Sequence, residues 1–151
     1  MRKLQDELNK RKWRNGQQLA MTNVLFTAQW LKEQFSQALE PYNVTIQQYH
    51  VLRILRTMHP EGMSSTQIQQ QLLDKTSDVS RLIARLHKLK LIKRRKSKED
   101  GRITNLFLSY RGLELLGQIR AVDKIDKVML PKHITEEEAQ MLSALLDKMR
   151  G

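Results

Sequence analysis

The stretch from Ser64 to Leu108 constrains the fold most, because its periodicity changes within a few residues. Val79, Leu82, Ile83, Leu86 and Leu89 recur at three- and four-residue spacing, while Ser77, Ser80, Arg81, Arg85 and Lys88 fall on the other side. That is a helix with one apolar stripe. Directly afterwards, Ile92-Lys93-Arg94-Arg95-Lys96 and Thr104-Asn105-Leu106-Phe107-Leu108 read as short strands, and Asp100-Gly101 between them is a hairpin signal. Upstream, Ser64 with Gln67 makes a capping-box pattern that opens a short helix through Ile68, Leu72 and Leu73. A turn at Asp74-Lys75 follows, with Thr76 as the expected N-cap of the next helix. The spacing thus predicts helix, tight turn, helix, then a basic two-stranded ribbon.

The flanks read as helices. Residues 17–39 contain no Pro or Gly and place Leu19, Val24, Phe26, Trp30, Leu31, Phe35, Ala38 and Leu39 in a wide apolar band. A band that wide predicts a long helix buried on more than one side, closed by Pro41. Thr45 with Gln48 opens a second helix carrying Tyr49, Leu52, Leu55 and Met58, which Pro60 and Gly62 break. After Gly112, one helix runs from Leu113 through Leu116, Ile119, Val122, Ile125 and Met129 to Pro131. Thr135 with Glu138 opens the last, with Leu142, Leu145, Leu146 and Met149 as its stripe. Ahead of all this, Asp6–Lys10 and Glu7–Arg11 are favourably ordered i, i+4 pairs, so a short helix ending at Gly16 is expected. The fold class is mainly α with a small β-hairpin wing.

Charge decides the partner class. The formal net charge is +11. Ten basic and two acidic side chains lie between Arg81 and Arg102 alone. A positive excess concentrated on one helix and one ribbon points to a polyanion. With no cysteine in the chain, disulfides, thiolate zinc sites and thiol nucleophiles are excluded. His50, His59, His87 and His133 make no close ligand pair, so no metal and no cofactor are expected. No phosphate-cradling Gly loop and no paired carboxylates with a base support an enzyme. No apolar run is long enough to span a bilayer, and the charged N-terminus is unlike a secretory signal. A cytoplasmic protein with no membrane role is the expectation.

Taken in order, these segments resemble the multiple-antibiotic-resistance regulator (MarR) family. The match runs through Asp78-Val79-Ser80-Arg81-Leu82-Ile83-Ala84-Arg85-Leu86, Leu91-Ile92, Asp100-Gly101-Arg102 and Leu108-Ser109-Tyr110-Arg111-Gly112. Thr45-Ile46-Gln47-Gln48-Tyr49 with Val51-Leu52 resembles the family's second-helix opening. Tyr110 departs from the charged residue common there. The resemblance implies a winged helix-turn-helix transcription regulator, often a homodimeric repressor on a palindromic operator. The division it suggests is a basic extension (1–16), an N-terminal dimerisation helix (17–44), a winged helix-turn-helix (45–109) and C-terminal dimerisation helices (110–151). A non-specific architectural DNA binder is the alternative.

Candidate DNA contacts follow from chemistry. Ser65, Thr76, Ser77, Asp78, Ser80 and Arg81 sit at helix openings, where short side chains and helix N-termini approach bases or phosphates. Asp78 could accept from a cytosine amino group, but compensation of the helix dipole is the favoured reading for it. Arg85 and Lys88 lie further along and suit the backbone. Among the ribbon cations, Lys93, Arg94, Arg95, Lys96 and Lys98 read as phosphate contacts, with Arg94, Lys96 and Lys98 taken as candidates; some of the run alternates to the other ribbon face, so not all can touch DNA. Arg102 is the expected wing-tip probe of a narrow minor groove, oriented by Asp100. The resemblance also implies a small aromatic or anionic effector. Phe26, Trp30, Tyr49, His50 and Arg53 are candidates to meet it, with ordinary core or interface packing the favoured reading of each.

Overall fold

The computed structural model describes residues 3–8, 12–96, 103–122, 124–129 and 133–151. Two compact units divide the chain at Ile46 and Gln47. The first holds α1 (Leu4–Glu7) and α2 (Gly16–Leu39), followed by a 3-10 turn at Glu40–Tyr42. Asn15 caps α2 by accepting from the Gln18 N–H at 2.9 Å. Gly16 therefore opens the long helix instead of ending the short one: the Asn15 cap fixes the boundary. In the single chain α2 buries only Ala38 and Leu39, while Met21, Leu25, Phe26 and Trp30 are exposed. Its expected burial on more than one side is absent from the chain taken alone.

The second unit carries the rest of α3 (Ile46–Thr57), then β1 (Met63–Ser64), α4 (Ser65–Gln71), α5 (Val79–Lys88), β2 (Ile92–Lys96), β3 (Thr104–Leu108), α6 (Tyr110–Ala121), α7 (Lys124–Met129) and α8 (Glu136–Arg150). Tyr49, Val51, Leu52 and Leu55 of α3 are buried; Met58 lies past the helix end and is exposed. The sheet has three antiparallel strands in the order β1-β3-β2, so the wing is larger than a hairpin. Met63 pairs with Leu106 and Ser64 with Asn105, and two residues carry too little periodicity to be seen in a sequence. Gly62 leads into β1 because any Cβ there would meet the Phe107 ring at 2.6–2.9 Å.

Ile68, Leu72, Val79, Ile83, Leu86, Leu91, Ile92, Leu106 and Leu108 are all buried in this unit. α4 packs on α5 and on β1, and α5 packs on β2. Leu72 turns extended after α4, so it is buried while Leu73 is 84% exposed; the apolar pair does not continue the helix. The helix after the wing starts at Tyr110 with Ser109 as N-cap, not beyond Gly112. Ser109 Oγ accepts from the Gly112 N–H and donates to the Lys90 carbonyl. Gly112 sits inside the first turn because a Cβ there would collide with the Leu91 carbonyl oxygen. That helix also stops at Ala121 and resumes as α7, where one continuous helix was expected. Thr135 caps α8 in a capping box with Glu138.

Candidate nucleic-acid interface

The outer side of α5 is built by its core. Val79, Ile83 and Leu86 are buried, which leaves Ser80, Arg81, Arg85 and Lys88 exposed on the opposite side. The N-cap is Asp78, whose Oδ1 accepts from the Arg81 N–H at 3.1 Å. Thr76 is therefore not the cap. It lies two residues earlier, in a loop organised by Asp74. The Thr76 N–H and Oγ1 donate to Asp74 Oδ1 at 3.0 and 2.7 Å, and Ser77 Oγ donates to Asp74 Oδ2 at 3.0 Å. Lys75 Nζ donates to the Gln70 carbonyl and ties this loop to the end of α4.

Asp78 has a second task. Its Oδ2 lies 3.1 Å from Arg81 Nε, while the Arg81 side chain remains 90% exposed. Held at Nε, the guanidinium keeps its two terminal nitrogens outward, the edge that can fork onto a guanine or a phosphate. At this exposure the pair adds little to stability; its effect is to restrict the rotamers of Arg81. Ser65 is exposed at the first position of α4, beside the Ser64 cap.

α5 ends in a Schellman turn. The Lys90 N–H donates to the His87 carbonyl at 2.9 Å and the Leu91 N–H to the Leu86 carbonyl at 3.0 Å. Lys90 has φ +59°, the left-handed region. The turn feeds β2 directly, so the helix and the cationic strand adjoin. Lys93, Arg94, Arg95 and Lys96 are all exposed. The register splits them: Arg94 pairs with Leu106 and Lys96 with Thr104, whereas Lys93 pairs with Phe107 and Arg95 with Asn105. Arg94 and Lys96 thus share the ribbon face of buried Ile92, and Lys93 and Arg95 take the other. The Arg95 guanidinium lies 5.4 Å from the Phe107 ring centroid, a cation–π contact on that second face. Lys98, Asp100 and Arg102 lie outside the described residues.

The five effector candidates fall on two helices. Phe26 and Trp30 are exposed on α2. On α3, Tyr49 is buried, His50 half-buried and Arg53 exposed, with the Arg53 guanidinium 5.9 Å from the Tyr49 ring centroid. Burial pushes the Tyr49 phenol above its ordinary value, opposed by the Arg53 charge. Burial, then the same Arg53 charge, pushes the His50 imidazole below its ordinary value. Asp74 is the residue that sequence reasoning missed. Its signal was present: an Asp followed at two and three residues by Thr and Ser is an Asx-turn pattern.

Comparison with known proteins follows the same outline. A model of the MarR family matches residues 42–103. A crystal structure of a Staphylococcus aureus MepR–DNA complex is 26% identical, with a TM-score of 0.74, covering 85% of this chain and 94% of that one. A MarR transcription factor from Planctomyces limnophilus is 28% identical, with a TM-score of 0.65, covering 91% and 98%. A putative MarR-like regulator from Bacillus cereus, 21% identical with a TM-score of 0.71 over 87% and 93%, shares the fold. A search of curated protein sequences found no match. Among the described residues, no helix is long and apolar enough to cross a membrane.

Proposed function

We propose that this chain, whose residues 42–103 match a model of the MarR family, is a sequence-specific DNA-binding transcription regulator acting as a homodimeric repressor on a palindromic operator. The observation that carries the reading is the cationic, core-braced face of α5 running through one turn into cationic β2. Phosphates supply affinity to such a face through counterion release, and the opening of α5 supplies base-edge contacts. MepR, related at 26% identity, is recorded bound to DNA, which supports the same partner here. Pairing is supported by apolar surface: Met21, Leu25 and Trp30 on α2, and Met141, Leu142, Leu145 and Met149 on α8, are exposed in the single chain. A two-fold dimer covers such surface and presents two α5 helices to a palindrome. Arg102 is assigned to the minor groove at the wing tip and Asp100 to its orientation.

A small aromatic or anionic compound is the effector class that Tyr49, His50 and Arg53 suit, with the half-buried His50 ring and the exposed Arg53 cation beside the buried Tyr49 ring. The test is selection of bound sequences from a randomised duplex library. Enrichment of an inverted repeat that survives excess random competitor DNA supports the proposal. Binding that competitor abolishes at moderate salt supports the non-specific architectural reading instead.

A further inference from the structure

The loop before α5 contains two hydroxyls, Thr76 and Ser77, beside a helix opening that meets DNA in the proposed function; this inference rests on that reading. What such hydroxyls can recognise depends on where their single protons go. A hydroxyl has one donor and two acceptor lone pairs, and an ionised carboxylate accepts only. Both protons are spent on one residue: Thr76 Oγ1 donates to Asp74 Oδ1 at 2.7 Å and Ser77 Oγ to Asp74 Oδ2 at 3.0 Å. The Thr76 N–H, donating to Oδ1 at 3.0 Å, fixes the carboxylate in that position. Lys75 is turned back toward α4, where its Nζ donates to the Gln70 carbonyl.

We propose that Asp74 is a specificity-determining residue: by holding the Thr76 and Ser77 protons, it leaves both hydroxyls facing the major groove as acceptors. Acceptors complement exocyclic amino groups, N6 of adenine and N4 of cytosine. They do not complement guanine O6 and N7, thymine O4 or phosphate oxygens, all of which need donors. The loop therefore reads amino-bearing bases, and Arg81, with its outward guanidinium edge, reads the complementary kind of group. One helix opening then presents acceptors and donors at separate places. Asp74 touches no base in this arrangement. It acts by fixing the polarity of its neighbours.

The test uses the full chain and a randomised duplex library, followed by binding titrations on the selected duplex. The wild type is expected to select adenine or cytosine at a position of each half-site that loses its preference in a T76V/S77A variant. Asp74→Asn supplies an amide N–H that can donate to a hydroxyl, so that position is expected to broaden to guanine and thymine. A second arm needs no change at Asp74. Replacing the selected adenine by purine, or the selected cytosine by 2-pyrimidinone, removes one amino group. It is expected to cost the wild type roughly 3- to 10-fold in affinity, the range for one hydrogen bond, and T76V/S77A nothing. Wild-type binding indifferent to that replacement overturns the assignment. So does a D74N motif identical to the wild-type motif when T76V/S77A changes it. A wild type that enriches no motif at all is a different failure, and sinks the proposed function itself.

Discussion

Lys90 is held in a conformation that costs a side-chain-bearing residue free energy. It occupies the left-handed position of the Schellman turn after α5, where Gly is favoured because it has no Cβ. Lys90→Gly is expected to stabilise the fold by about 1 kcal/mol, read as a raised denaturant midpoint; an unchanged or lowered midpoint contradicts the strain. His50 supplies a pH dependence. Its folded-state value lies below the ordinary one, by burial first and by Arg53 second. As pH falls through the ordinary histidine value of about 6.5, the unfolded chain takes up the proton first, so stability present at neutral pH is lost on acidification. In His50→Gln, the fall in melting temperature between pH 7.5 and 5.5 is expected to be smaller than in the wild type. Parallel curves for the two proteins contradict it.

At the scale of the element, α5 is where stability and the proposed recognition divide by face. Leu86 is fully buried, and Leu86→Ala would cost the core about 2–5 kcal/mol. Arg81 is exposed, and its loss should leave stability nearly untouched. Arg81→Ala is therefore expected to weaken binding to a selected operator by about 1–3 kcal/mol, with a smaller loss on random duplex. Equal losses on both reduce Arg81 to a phosphate contact. Much of this element was legible in the sequence, because a one-sided apolar stripe fixes which residues face out. The β2 and β3 spans were legible for the same reason, through a change of period. The missed features have no period. β1 is two residues long, and Thr76 was mistaken for the cap because three candidate capping residues, Thr76, Ser77 and Asp78, stand in a row. Which one caps depends on side-chain geometry: Asp78 Oδ1 is the atom that accepts from the Arg81 N–H. The break between α6 and α7 carries no Gly or Pro to announce it.

For the whole molecule, the exposed apolar faces of α2 and α8 matter more than any single contact. Met141 is 66% exposed and Leu25 67% exposed in the single chain; such surface on a regular helix marks an interaction site. Placing a carboxylate on it by Leu145→Glu is expected to shift the chain from dimer toward monomer in light scattering and to weaken operator binding in parallel. A wild type that scatters as one chain at micromolar concentration contradicts pairing. The long α2 was legible as a helix. Its apolar face is exposed in the single chain; a sequence reports that a face is apolar and not whether its cover comes from the same chain.

The most direct measurement is a pair of fluorescence-anisotropy titrations at about 150 mM monovalent salt, physiological ionic strength. One uses the duplex selected from the random library, the other a scrambled duplex of equal length and composition. Binding to the selected duplex at least about 1,000-fold tighter is the expected result. Affinities equal within a few-fold would mean that the α5–β2 face grips phosphates without reading bases, contrary to the function proposed for it.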